Sequence, residues 1–266
     1  MAGSQSFFHS LNVSSSIYDT NANAYFVAAN ITNTTYKTAY NAFVLREKAA
    51  SRYTFCKAFY PFLEGTATGN KYNSIDPRDL DAAYRLTFNG TITHSSNGII
   101  GNGTTGYANT FFNPSTNSAS GYLGIGVYLK TDINSTTVDM GAYNATGTKY
   151  TQIFSRFGDV FYGNVTTPNT DAHAASTSSL GWRMAFRPDV SFCNFQIDGF
   201  QPASPYAGAV TLTNANIYLL ARNDDGTASL FSSRQQGCAG IWDGLSAAQV
   251  ASLRTSVQTF MTDISR

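Results

Sequence analysis

Charge is what this sequence has least of. Asp, Glu, Lys and Arg make up 12% of its 266 residues, where about a quarter is usual, and the formal net charge is +1. No run of Lys or Arg with interleaved aromatics occurs, so the electrostatic footprint of a nucleic-acid binder is missing and that class is excluded. No apolar stretch approaches the roughly 20 residues that span a bilayer. The opening MAGSQSFFHSLNVSSS has no cationic leader before an apolar run, so a product made in a cytoplasm with no membrane partner is expected. Cysteine is sparse: Cys56, Cys193 and Cys238 lie far apart in no metal-like spacing, and buried free thiols are expected. His9, His94 and His173 form neither a His-x-x-x-His pair nor part of a nucleophile elbow.

What is abundant is Asn, Thr, Ser, Gly, Tyr and Phe, the makings of an uncharged polar surface over an aromatic β core. A chain of this length can bury about three-quarters of its unfolded surface and needs no disulfide or metal to hold one large core. Residues 1–20 are Ser-rich with isolated aromatics and read as an arm or first edge strand. Residues 21–65 read as a helical segment, two helices or a broken one, with apolar residues from Tyr36 to Phe59 and Pro61 as the stop. From about residue 66 onward, short alternating stretches separated by Gly, Asn and Thr turns recur about every ten residues, the rhythm of a sandwich. The predicted strands are 83–88, 107–112, 121–129, 137–143, 150–157, 160–162, 180–186, 191–197 and 209–212.

The end of the chain is the most explicit part. Ile217, Leu219 and Ala221 alternate with Tyr218, Leu220 and Arg222, Asp224-Asp225-Gly226 supplies a turn, and a second strand is predicted over 236–242. There, Gly237, Cys238, Ala239 and Gly240 let another layer approach closely. Ser246 stands three residues before Gln249, with Leu245 and Val250 placed as a hydrophobic staple, so a helix starts here. Val250, Leu253, Val257, Phe260 or Met261, and Ile264 form one apolar stripe that must be buried, most naturally on the preceding sheet.

This closing segment, AGIWDGLSAAQVASL, resembles the end of laminin-G-like domains of the concanavalin A-like lectin/glucanase superfamily. Gln196-Ile197-Asp198-Gly199 resembles the strand and hairpin tip that laminin-G-like domains place late in their fold. Residues 60–114, YPFLEGTATGNKYNSIDPRDLDAAYRLTF and onward, resemble a block that recurs in phage virion and appendage proteins built on that fold. The resemblance implies a mainly β, concanavalin A-like jelly-roll sandwich of two antiparallel sheets, spanning 66–266, with an N-terminal helical segment and a C-terminal helix. Segment 21–65 is expected to form one compact unit with it.

The same superfamily hosts glycan binders and glycosidases, so residues must decide. Its retaining glucanases carry Glu-x-Asp-x-x-Glu on one strand, because alternation puts all three carboxyls on one face. Glu47 and Glu64 are the only glutamates, followed two residues on by Ala49 and Thr66, so that motif and the lectin-type Glu-x-Asp metal site are both missing. Asp76, Asp79 and Asp81 beside Arg78 and Arg85 read as turn and ion-pair residues. His94 reads as a structural hydrogen-bond partner, and Trp182 and Trp242 as core. Catalytic and metal residues are therefore none, and no cofactor is expected. Asn223, Asp224 and Asp225 are the candidate binding residues, at the rim of the last hairpin, against the plainer reading of a solvated turn.

The expected function is a non-enzymatic virion protein, a phage head or tail appendage or decoration, that binds surface glycans. The partners expected are further copies of itself, as a homo-oligomer such as a trimer, and other virion proteins through the N-terminal part. Its expected location is the virion, after synthesis in host cytoplasm. The alternatives are a glycan-cleaving enzyme on the same fold and a bacterial surface lectin.

Overall fold

A computed structural model describes residues 17–119, 121–146, 148–165, 172–189, 192–197, 203–205 and 211–266. Two helices open it, α1 (Thr20–Ala28) and α2 (Thr34–Ala49). Single turns α3 (Ala67–Asn70) and α4 (Pro114–Asn117) follow, and α5 (Ala247–Asp263) lies near the end of the chain. The strands in chain order begin with β1 (Cys56–Tyr60), β2 (Thr87–Asn89), β3 (Ile92–Ser95), β4 (Gly98–Gly101), β5 (Tyr107–Asn109) and β6 (Leu123–Leu129). Next come β7 (Met140–Asn144), β8 (Lys149–Phe157), β9 (Val160–Asn164), β10 (Ala172–Ala175), β11 (Gly181–Asp189) and β12 (Phe192–Ile197). The last are β13 (Ala203–Pro205), β14 (Tyr218–Leu219), β15 (Arg222–Asp224), β16 (Thr227–Ser229) and β17 (Gln236–Asp243).

They form two sheets. The first runs β13-β12-β11-β6-β17-β4-β3, with β1 also paired to β17; the second runs β10-β9-β8-β7-β14-β5-β2, with the β15–β16 hairpin attached to β7. Among the described residues pairing is antiparallel except where β15 runs parallel to β7. Between the sheets lies one apolar core, including Ile125, Val127, Met140, Ile153, Phe161, Leu219 and Ile241. A second core fills the other side of the first sheet, where Trp182, Met184, Phe186 and Trp242 meet Tyr25, Tyr40, Phe43 and Phe260 from the helices. The order is thus helices, first sheet, second sheet. The expected sandwich with helical pieces at both ends is what the chain forms.

Local chemistry explains the helices. Asp19 caps α1 by accepting from Asn21 N at 2.9 Å, and Asn33 caps α2 by accepting from Tyr36 N at 3.2 Å. At α5 the capping box is complete: Gln249 N donates to Ser246 Oγ at 3.3 Å, and Ser246 N donates to Gln249 Oε1 at 3.0 Å. Val250, Leu253, Val257, Phe260, Met261 and Ile264 are all buried. Their partners are the first sheet, as expected, and also α2. Close approach depends on two glycines. A Cβ at Gly126 would lie 2.4 Å from the Trp182 ring, and one at Gly240 2.4 Å from the Trp242 ring, so the indoles lie over bare backbone.

Several expectations are corrected. The helical segment ends at Ala49, and 56–60 is a strand. Ala58 and Tyr60 enter the inter-sheet core while Cys56 and Phe59 enter the helical one, so an apolar run without alternation is a strand covered on both faces. The strand expected over 83–88 shrinks to β2, because Asp81–Ala83 forms a tight helical turn and Tyr84 takes a left-handed φ of 59°. The stretch 107–112 is strand only to Asn109, with Phe111 at φ 57°. Thr211 and Leu212 are not in a strand. The β3–β4 hairpin, β10 and β13 were unforeseen. Residues 1–16, the 198–199 tip and 209–210 lie outside the described residues.

Candidate functional site

Among the described residues the layer order leaves one broad surface without a covering layer. The first sheet has the second sheet on one face and the helices on the other; among the described residues no helix of more than one turn packs on the outer face of the second sheet. Strand alternation decides what stands there. Met140 and Ala142 of β7, Ile153 of β8 and Phe161 of β9 point into the core, so Gly141, Tyr143, Tyr150, Gln152, Phe154 and Tyr162 point out.

On this face, next to the β7–β8 turn, the pairing of Asn144 with Lys149 sets Tyr143 directly opposite Tyr150. Their rings stack at 4.6 Å with an interplanar angle of 22°. Parallel pairing of β15 with β7 places Arg222 beside Gly141 and Asp224 beside Tyr143. From there the guanidinium reaches across β7 and donates from Nη1 to Gln152 Oε1 at 3.1 Å. It lies 5.0 Å from the Tyr143 ring centre and 5.9 Å from that of Tyr150. The other edge of the guanidinium is held by Asp224, from Nε to Oδ1 at 2.5 Å and from Nη2 to Oδ2 at 3.0 Å, and Ser229 Oγ donates to the same carboxylate at 2.6 Å. Two tyrosines, an arginine and its carboxylate thus form a fixed, half-buried platform.

Aromatic groups continue on both sides. Tyr107 and Tyr218 stack at 4.6 Å with Phe231 nearby, and Phe154, Phe157, Tyr162 and His173 form a chain of ring contacts toward the β10 edge. Round the rim, beyond the β7–β8 turn, a cleft of about 570 Å³ is lined by Ser115, Ala119, Gly121, Lys149, Thr211, Leu212 and Asn214.

The three residues singled out from sequence separate. Asp224 belongs to the platform. Asn223 is buried and braces its own turn, donating to Asn216 O at 2.8 Å and accepting from Gly226 N at 2.7 Å. Asp225 ties two hairpins together, accepting from the Asn144 amide and from Ala145 N at 2.9 Å; the backbone bond from Ala145 is the main reason its carboxyl is held below the usual range. Tyr143, Tyr150, Arg222 and Gln152 were not singled out. The signal for two of them was present: Tyr143-Asn144 and Lys149-Tyr150 flank a turn symmetrically, which puts the tyrosines opposite each other in a hairpin.

Elsewhere the structural readings stand. Asp76 pairs with Arg78, Asp79 with Lys71 and Arg85, and Asp81 with Arg85. His94 Nδ1 lies 3.3 Å from Asn70 Nδ2 and its ring meets Phe88 edge-on. Trp182 and Trp242 are buried 5.8 Å apart. Cys56 and Cys238 are buried free thiols, while the side chain of Cys193 lies outside the described residues. Among the described residues no His, Cys, Asp and Glu cluster has the arrangement of a metal site, and no helix is long and apolar enough to cross a membrane.

No protein-family model and no curated protein matches the sequence. Solved structures do. A Trypanosoma rangeli sialidase in complex with 2,3-difluoro-KDN matches with a TM-score of 0.53 at 10% identity, covering 84% of this chain and 40% of that one. The sialidase in complex with sialic acid matches at 0.52 and 12% identity, covering 84% and 38%. Domain 4 of an extracellular arabinanase from Geobacillus stearothermophilus, in complex with arabinotriose, matches at 0.46 and 16%, covering 75% and 98%. This chain spans less than half the length of the sialidases. At these identities the likeness is one of fold, a mainly β sandwich.

Proposed function

We propose that this protein is a non-enzymatic glycan-binding sandwich whose sugar-contacting surface is the open face of the second sheet. The observation that carries this is the platform of Tyr143, Tyr150, Arg222 and Asp224. Sugar rings present C–H faces that pack on aromatic rings and hydroxyls that need fixed donors and acceptors, and rigid hydrogen-bonded side chains offer both at low entropic cost. That the solved neighbours include a sialidase in complex with sialic acid agrees with a carbohydrate role.

The non-enzymatic part is supported by the carboxyls. Glycosidases pair two of them about 5–10 Å apart and raise the pKa of one. Here Asp76, Asp79, Asp132 and Asp225 are held below the usual range, by Arg78, by Lys71, by the Ser179 N–H and by the Ala145 N–H respectively. Asp19 is lowered too, since burial, which pushes it up, is outweighed by Lys48 and backbone donors. The setting we propose is a phage virion appendage or decoration, assembled as a homo-oligomer and docked on other virion proteins through the N-terminal part. It is supported by the sequence resemblance of 60–114 and of the closing segment, and by Ile17, Val27 and Leu45, which the helical layer leaves exposed.

The test is a glycan array with the intact chain and with Tyr150→Ala, followed by a hydrolysis assay on every glycan bound. Binding that falls at least about tenfold in the variant, with no product formed, is expected. Release of sugar would replace the binding reading with a glycosidase; an empty array would end it.

A further inference from the structure

Asp224 already occupies the part of Arg222 that an acidic ligand would need. Arginine recognises carboxylates through two parallel N–H donors, and here Nε and Nη2 both point at the Asp224 oxygens while Nη1 is used by Gln152. The other charges nearby are also committed: Asp225 is held by Asn144 and Ala145, and Arg156, farther along β8, pairs with Asp132 and Asp159. Lys149 lines the separate cleft beyond the turn. The platform therefore presents aromatic faces and hydrogen-bonding groups with no net charge.

Resting on the glycan-binding reading, we infer that this platform takes uncharged sugars and turns away sialic and uronic acids. A sugar carboxylate brought to the guanidinium would find its Nε and Nη2 edge already filled by Asp224, whose own negative charge opposes it. Hydroxyls meet no such penalty, because they carry no charge for Asp224 to oppose and can donate to its Oδ1, which accepts from Arg222 Nε, while the rings carry the C–H face. Uncharged ligands also bind without a screening term, so affinity should be indifferent to salt.

The experiment uses the full chain against two matched panels, neutral oligosaccharides ending in galactose, glucose, mannose or arabinose, and the same cores ending in sialic or glucuronic acid, at about 50 and about 500 mM NaCl. Expected are neutral binding that changes less than roughly twofold with salt and acidic binding weaker by at least about tenfold. In Asp224→Asn the guanidinium edge is released, and acidic glycans should gain about tenfold while neutral ones do not. Wild-type binding to acidic glycans as tight as to neutral ones, or no acidic gain in a folded Asp224→Asn, overturns the inference and leaves the glycan reading standing. Binding to neither panel overturns both. The wild-type panels decide the matter by themselves should the variant not fold.

Discussion

Arg234 and Asp139 are both without solvent exposure, and around them the interior of the second sheet is tied together. The guanidinium donates to Asp139 Oδ1 at 3.0 Å and to the carbonyls of Ile133, Ser135 and Arg156 at 2.9, 3.1 and 2.7 Å, while Asp139 also accepts from Ser232 Oγ and Ser155 N. Asp139 leads directly into β7, the strand that carries Gly141 and Tyr143, so this pair positions the platform from beneath. Removing one partner leaves a buried charge uncompensated. Arg234→Met should cost about 3–5 kcal/mol in denaturant unfolding; a loss below about 1 kcal/mol would mean the carboxylate is neutralised in another way. At His94 the effect is on pH. Burial holds this half-buried imidazole below its ordinary 6.5, so the unfolded chain takes up the proton first. The stabilisation is complete above about pH 6.5 and is lost as pH falls through the lower folded value. Thermal melts from pH 7.5 to 5.5 should therefore decline more for the wild type than for His94→Gln; parallel curves would rule His94 out as their source.

At the scale of elements, α5 shows local code and tertiary demand agreeing. The Ser246–Gln249 box starts the helix, and the buried stripe from Val250 to Ile264 positions it on α2 and on the Trp182–Trp242 pair. Neither term alone suffices, since a 17-residue helix is marginal in water without packing. Ser246→Ala removes one acceptor at the helix start and should lower unfolding free energy by about 1 kcal/mol, seen as a lower denaturant midpoint at unchanged slope. A changed slope would instead point to altered packing of the layer.

For the whole molecule, the helices are a third layer and not an appendage. Buried Glu47 and Arg52 close α2 with bonds of 2.7 and 2.8 Å, and Arg52 also donates to Ser252 of α5 at 2.5 Å, so the N-terminal and C-terminal helices are fastened to each other over the first sheet. Deleting residues 17–55 would bare Phe59 of β1 and the side of α5 that packs on α2, with Phe260 in it, leaving an exposed apolar patch of the kind that drives aggregation. The truncated chain should be recovered only as aggregate or as a dye-binding, loosely packed state. A soluble product with a sharp unfolding transition would show that the two sheets stand alone.

Much of this was legible in the residues because it is written locally. A capping box, a stripe at steps of three and four, and alternation along 121–129, 150–157 and 180–186 each depend on neighbours within one or two turns of chain. Strand β1 was not legible, because an apolar run without alternation has no period to read and its partner β17 lies far along the sequence. The platform was hidden for the same reason. Arg222 and Asp224 meet Tyr143 and Gln152 only through the parallel pairing of β15 with β7. By itself the sequence determined a low-charge aromatic sandwich closed by a capped helix, since composition and short-range periodicity suffice for that. Which of its many tyrosines and aspartates share one surface was decided by the tertiary structure, because register between distant strands is settled by how the two cores fill.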